Sequence, residues 1–173
     1  MIQSKNKIII KDNFLDKDTF NSIKNTIFDC NQDNVFPWFL QDFKTKKGDN
    51  EMQLTHIFYR DYVINSDYFH SLRPILKKLN VRALQRIKAN VTFKTNQIRL
   101  YKYHVDFETP KNEVVGKTSL FYFHTTNGPT VFEHDEKVNC IENRMVTFPT
   151  NMLHSASTHT DSLFRGVINF NWL

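Results

Sequence analysis

The run His104-Val105-Asp106 sets an imidazole and a carboxylate two positions apart. In a β-strand, residues i and i+2 point to the same face, so the two groups would project side by side. Such a pair arises easily by chance in a chain with seven His, and a hydrogen-bonded surface pair is its plain alternative. A further imidazole sharpens the picture. His154 follows the apolar run Arg144 to Phe148 and the turn Pro149-Thr150-Asn151, with His159 as a rival a little further on. Two His and one carboxylate on neighbouring strands form a facial set of ligands that leaves three coordination positions open. That arrangement suits non-haem Fe(II) that must bind oxygen. No thiolate belongs to the set, which argues against a structural zinc site. The two Cys, Cys30 and Cys140, lie far apart without a metal-ligand spacing and read as free thiols. His134 and Glu136 make another H-x-E pair, but the polar run Glu133 to Lys137 reads as an exposed hairpin turn.

The last strand-like run, Arg165 to Trp172, has two unlike faces. Gly166, Ile168, Phe170 and Trp172 share one and would pack under helices. Arg165, Val167, Asn169 and Asn171 share the other, an odd set for a dry core and a fitting one for a wet cavity. A guanidinium there is a natural clamp for a carboxylate, because it donates two parallel hydrogen bonds. Asp161 is its ordinary ion-pair alternative.

The elements that must position these groups follow from periodicity and turn signals. Lys7 to Lys11 reads as a short strand. Asp16 or Asp18 caps a helix with Phe20, Ile23, Ile27 and Phe28 on one face. The segment Asn31 to Asn50, with Pro37, Trp38 and Gly48, reads as loop with a short extended piece. Leu54 to Tyr59 reads as a strand. Ser66 caps a further helix with the stripe Phe69, Leu72, Ile75, Leu76 and Leu79, which Pro74 should kink or restart. From Ala83 onward short strands follow one another: Gln85 to Phe93, Gln97 to His104, Thr118 to His124, Thr130 to His134, Arg144 to Phe148 and Arg165 to Trp172. Turns such as Asn127-Gly128-Pro129 separate them. Helices first and strands afterwards predict an α+β domain, mainly β. Its short strands suit a sandwich or jelly roll with the helices on one outer sheet face.

At 173 residues, with 40% apolar residues and sixteen Phe, the chain suits one globular domain rather than a disordered segment. No apolar run approaches a bilayer span, and Ile8-Ile9-Ile10 is too short for a signal-peptide core, so the expected location is cytoplasmic. The net charge of +5 is uneven. Between Asp67 and Asp106 there is no acidic residue, while Arg73, Lys77, Lys78, Arg82, Arg86, Lys88, Lys94, Arg99 and Lys102 fall within the stretch. A basic segment can steer nucleic acid; a solvated face is the alternative.

The order of these motifs resembles the Fe(II)/2-oxoglutarate-dependent oxygenases, within them the prolyl 4-hydroxylase-like branch with its small phage and bacterial members. The matching stretches are Tyr103-His104-Val105-Asp106, Leu120-Phe121-Tyr122-Phe123-His124 running to Gly128 and Phe132, Asn143-Arg144-Met145-Val146-Thr147-Phe148-Pro149 up to His154, and Arg165-Gly166-Val167-Ile168-Asn169-Phe170-Asn171. The Pro37-Trp38 loop and the strand–helix start are similar too. The likeness covers most of the chain and is most specific from Gln85 to the end.

The resemblance implies a double-stranded β-helix, a jelly-roll barrel over residues 83–173 supported by residues 1–82. It implies Fe(II) held by His104, Asp106 and His154, the family spacing favouring His154 over His159. It gives Arg165 the distal carboxylate of 2-oxoglutarate, with Tyr122 sharing it. The activity implied is hydroxylation of a prime substrate with 2-oxoglutarate and oxygen consumed and succinate and carbon dioxide released. A protein side chain such as proline is the first expectation for that substrate and nucleic acid the second. A cupin-like metal-binding jelly roll without oxygenase activity is the alternative; such a protein needs no carboxylate clamp at Arg165. Roles for His159, Arg144, Asn169 and Asn171 do not follow from the sequence.

Overall fold

The computed structural model describes residues 8–28, 36–44, 51–107 and 116–173. Lys7, Cys30, Gly48 and most of the expected loop over 31–50 lie outside the described residues.

The chain opens with β1 (Ile9–Lys11) and α1 (Lys17–Phe28). Asp16 Oδ1 caps α1 by accepting the Thr19 N–H at 2.9 Å, and the helix buries Phe20, Ile23 and Ile27. β2 (Phe39–Gln41), β3 (Gln53–Arg60) and β4 (Val63–Ile64) follow. Ser66 then caps a 3₁₀ turn over Asp67–Leu72, its hydroxyl accepting the Tyr68 N–H. At Pro74 the chain restarts as α2 (Arg73–Leu79), since a proline fits only the first helical turn. The remainder is strand: β5 (Leu84–Phe93), β6 (Lys117–Tyr122), β7 (Thr126–Phe132), β8 (Lys137–Cys140), β9 (Met145–Pro149), β10 (His154–Ala156) and β11 (Phe164–Trp172).

These strands form two antiparallel sheets. The larger runs β1-β9-β6-β11-β5-β3-β2, with β4 on β3; the smaller runs β10-β7-β8. The outer face of the larger sheet presents Ile87, Ala89, Phe121, Ile168 and Phe170, which pack with Phe20, Ile23, Ile27, Leu72 and Ile75 of the helical layer. Between the sheets Leu120, Tyr122, Val146 and Phe148 meet Phe132, Val138 and Cys140 in a second apolar cluster. Alternation along each strand divides the two cores: in β6, Phe121 faces the helices while its neighbours Leu120 and Tyr122 face the small sheet. Among the described residues no helix is long and apolar enough to cross a membrane.

Two sequence expectations need correction. Gln97 to His104 does not form a strand. It runs beside β10 through isolated bridges, Leu100 to Ser157 and His104 to His154. Four steps on one side thus face three on the other, and an extra residue breaks the ladder. Beyond the Leu100 bridge Thr158 Oγ1 continues the contact, accepting the Arg99 N–H at 2.7 Å and donating to the Gln97 carbonyl at 2.9 Å. Likewise Asn127-Gly128-Pro129 is no turn but lies inside β7, where the register to β8 jumps between Thr126 and Thr130. A Cβ on Gly128 would stand 2.6 Å from the Thr158 carbonyl oxygen, so the crossing of these two segments requires glycine. The hairpin turn over Glu133 to Lys137 is present: a 3₁₀ turn at Glu133–Asp135 joins β7 to β8, and His134 is exposed.

Between β1 and α1 the chain is tied down at Phe14 and Leu15 by one residue. Asn143, buried and left-handed at φ 59°, accepts the Leu15 N–H at 2.9 Å and donates to the Leu15 carbonyl at 2.8 Å, while its own carbonyl accepts from Phe14. Asn143→Ala strands both Leu15 groups and strains the backbone. It should lower unfolding free energy by about 2–4 kcal/mol in urea denaturation. Asn143→Gly restores only the backbone share, so the difference between the two variants isolates that share.

Candidate metal centre and anion pocket

His104 and His154 face each other across the bridge that joins their backbones, with ring centroids 4.6 Å apart. Each ring is oriented by the same local device. His104 Nδ1 lies 3.2 Å from the Lys102 carbonyl and His154 Nδ1 lies 3.0 Å from the Met152 carbonyl. A carbonyl can only accept, so both rings carry their proton on Nδ1 and keep Nε2 as the free lone pair. Asp106 completes a cluster in which one ligand atom from each residue lies within 4.8 Å of the others. The structure therefore brings His104, Asp106 and His154 together, and leaves His159 outside that cluster. Burial and the neighbouring His154 hold the His104 pKa below the ordinary imidazole value, which favours the neutral, ligating form.

The Asp106 side chain is only 3% exposed. Its carboxylate takes the Arg86 guanidinium on Oδ1 at 2.9 Å, the Thr118 hydroxyl on Oδ2 at 2.7 Å, the Asn171 amide on Oδ2 at 3.1 Å and the Asn169 amide at 3.1 and 3.2 Å. Burial alone would raise its pKa; His154, Arg86 and the hydrogen bonds from Thr118 and Asn169 outweigh that and hold it below the usual carboxylate value. The donors come from three adjacent strands, β5, β6 and β11. Asn171 is itself tied to Arg86 Nε and to Thr118. The Asn pair on β11 thus has a role: it orients the ligand.

A cavity of about 260 Å³ opens beside the cluster, lined by its three residues, the inward side chains of β5 and β11, and Thr130 and Ala156 of the small sheet. Arg165 stands in its wall, 3% exposed. Its contacts are with Cys140 Sγ at 3.3 Å, the Ser157 carbonyl at 3.4 Å and Thr130 Oγ1 at 3.2 Å. Among the described residues no carboxylate pairs with it within 4.0 Å. Asp161, the ordinary ion-pair alternative, instead accepts the Asn127 N–H. A buried guanidinium facing a cavity with only neutral partners is a fitting receptor for a carboxylate.

Tyr122 is placed differently from the sequence expectation. It is fully buried behind the wall, its hydroxyl 2.7 Å from Thr130 Oγ1 and its ring 5.4 Å below the Arg165 guanidinium. It props Arg165 and Thr130 rather than lining the cavity. Burial pushes its phenol up to about 12, so it stays protonated. Arg144 makes a plain ion pair with Asp12 at 2.5 and 2.9 Å, far from this chemistry in role. Sequence reasoning missed Arg86, Thr118 and Thr130. A signal exists only for Arg86, in the polar, inward alternation of β5, Arg86-x-Lys88-x-Asn90-x-Thr92, against the buried Ile87, Ala89 and Val91.

Two imidazole Nε2 atoms and an ionised carboxylate, with no thiolate among them, fit Fe(II). Replacing His104, Asp106 or His154 by Ala should abolish Fe(II) binding in anaerobic titration. Asn169→Ala and Asn171→Ala keep every ligand and should weaken binding by about tenfold to a hundredfold. Retention of one tight equivalent in His154→Ala would make the ligand set wrong.

No protein-family model matches the sequence, and no curated protein is detectably similar to it. Solved structures are similar in fold at low identity. A 2OG-Fe(II) oxygenase family oxidoreductase from Burkholderia pseudomallei has a TM-score of 0.66 at 10% identity, over 95% of this chain and 84% of that one. A prolyl hydroxylase from Trichoplax adhaerens, in complex with a hypoxia-inducible-factor peptide, has a TM-score of 0.65 at 11% identity, over 97% and 84%. The viral collagen prolyl hydroxylase of Paramecium bursaria Chlorella virus 1, in complex with 2-oxoglutarate, has a TM-score of 0.60 at 13% identity, over 99% and 97%. The chain thus has, over nearly its full length, the mainly β fold of the 2-oxoglutarate/Fe(II) oxygenases.

Proposed function

We propose that the protein is an Fe(II)- and 2-oxoglutarate-dependent dioxygenase, a single jelly-roll domain that hydroxylates a prime substrate. The observation that carries this reading is the pairing of two features in one cavity: a two-His, one-carboxylate cluster, and a buried Arg165 with no carboxylate partner among the described residues. A metal-binding jelly roll without oxygenase activity has use for the first feature and none for the second.

In this reading His104, Asp106 and His154 hold Fe(II), and Arg165 with Thr130 receives the distal carboxylate of 2-oxoglutarate. Iron and 2-oxoglutarate together supply the oxidation, in which oxygen is split between succinate and a hydroxylated substrate and carbon dioxide leaves. The protein's part is positional. The Asn169, Asn171, Thr118 and Arg86 hydrogen bonds keep Asp106 ionised and fixed in direction. Tyr122 and Thr130 hold the guanidinium in the wall. Leu120 and Val167 give the cavity an apolar side that limits water. A protein side chain is the favoured substrate class, in keeping with the peptide bound to the Trichoplax prolyl hydroxylase.

Succinate release from 2-oxoglutarate should depend on added Fe(II) and on all three ligands. Arg165→Ala should raise the 2-oxoglutarate dissociation constant at least about tenfold, or about 1.4 kcal/mol, while Fe(II) affinity stays unchanged. Arg165→Lys should fall between, since Lys keeps the charge and loses the fork. Titration of the anaerobic Fe(II) protein, followed through the charge-transfer absorption of the metal with the 2-oxo acid, decides it. Unaltered affinity in a folded Arg165→Ala protein would make the residue structural and favour the binding-module alternative.

A further inference from the structure

β5 sends four polar side chains into the cavity, and two of them are accounted for: Arg86 holds Asp106, and Thr92 lies opposite Arg165 in the register. Lys88 is not. It sits opposite Asn169 on β11 and Ile57 on β3, part-buried in the cavity wall. Among the described residues its ammonium donates to a neutral acceptor, Gln41 Oε1 at 3.1 Å, which the buried Gln53 amide also contacts at 3.3 Å. Among the described residues no carboxylate lies within 4.0 Å of its ammonium. Asp106, the single acid among the described residues of the cavity wall, already takes four donor side chains. Asp106 acts on Lys88 only from beyond ion-pair distance, and a partly buried ammonium without a direct partner is destabilising unless something else supplies the charge.

The charge of the whole cavity points the same way. Among the described residues Arg86, Lys88 and Arg165 line it beside a single carboxylate, Asp106. A divalent metal and a doubly charged 2-oxo acid cancel each other, so loading the site leaves this cationic excess as it was. At about 260 Å³ the cavity is smaller than the roughly 300–1,000 Å³ of sites that enclose a drug-sized ligand, so alongside the cosubstrate it has room for a side chain, not for a whole substrate.

We propose that Lys88 reads a carboxylate on the prime substrate, an Asp or Glu side chain of a peptide, and so determines the specificity of the site. This rests on the oxygenase reading for what happens to the substrate, not for its recognition. Burial and the nearby Arg86 push the Lys88 ammonium down to about 8, a deficit that a bound carboxylate would correct. Nucleic acid fits less well, because the basic segment is split by the sheet. Arg86 and Lys88 face the cavity, whereas Arg73, Lys77 and Lys78 ride on α2, which packs through Ile75, Leu76 and Leu79 against the opposite face.

The test uses the full chain under anaerobic conditions, with and without Fe(II) and 2-oxoglutarate. The probes are capped alanine hexapeptides carrying one Glu, Asp, Gln or Lys, together with hexathymidylate, and binding is read by calorimetry. The Glu or Asp peptide should bind at least tenfold more tightly than the Gln peptide. Lys88→Gln should remove that preference, and Lys88→Arg should retain most of it. Equal affinity for Glu and Gln peptides, or tighter binding of hexathymidylate than of any peptide, would overturn the proposal. So would a tenfold loss of 2-oxoglutarate affinity in Lys88→Gln with no peptide added, since Lys88 would then serve the cosubstrate. If the wild-type protein binds no 2-oxoglutarate, the oxygenase reading fails, and the peptide arm without cosubstrate still decides the role of Lys88.

Discussion

A carboxylate removed from water is stable only where donors replace the solvent it has lost, and Asp106 is the point at which this fold meets that demand. Its donors arrive from β5, β6 and β11, three neighbouring strands of the larger sheet. The sheet therefore does more than carry the ligand. A slip of one residue in β11 would turn Asn169 and Asn171 to the helical side and bring Ile168 and Phe170 into the cavity. The register that buries the outer core and the register that satisfies Asp106 are one and the same. Each selects the other, and a mispaired sheet would lose the apolar core and the metal centre together.

The same sheet separates two chemistries across its thickness. Toward the helices lie Phe20, Phe121 and Phe123, with Phe20 and Phe123 stacked at 5.8 Å and Phe121 edge-on to both. Toward the small sheet the surface grades from the apolar cluster around Phe132 and Phe148 to the polar cavity. Rigid packing on one side thus supports hydrogen-bonded groups on the other. Arg165 illustrates the gradation: its neighbours are a thiol, a carbonyl, a hydroxyl and an aromatic face, each compatible with a guanidinium and none neutralising it.

Much of this was legible in the sequence where the information is local. The H-x-D spacing marked two residues of the cluster, although the segment that carries them is not the strand from which a shared face was argued, and alternation along Arg165 to Trp172 separated the core side from the cavity side. Ser66 and Pro74 marked a cap and a restart that the structure contains. What was not legible depends on partners distant in the chain. Arg86 stands 20 residues before the carboxylate it binds, and nothing in its neighbourhood announces the pairing. The chain from Gln97 to His104 alternates like a strand, yet one extra residue against β10 breaks its ladder, a mismatch visible only with both segments in place. Tyr122 was assigned to the right strand, but its hydrogen bond to Thr130 depends on the facing sheet.

The final strand also fixes a length. Arg165 and Asn169 are four residues apart on one face of β11, and a strand advances about 3.3 Å per residue, so their positions along it differ by roughly 13 Å. Any molecule that touches both the Asp106 end and the guanidinium must match that interval less the reach of the side chains. Because faces alternate, insertion or deletion could change the interval only in double steps of nearly 7 Å, several carbon–carbon bonds at a time. Selection for a slightly longer or shorter dicarboxylate cannot proceed by sliding the strand. It must work through the side chain itself, by trading a long cation for a shorter one, so the scaffold acts as a coarse graduated rule on which a single residue is the vernier.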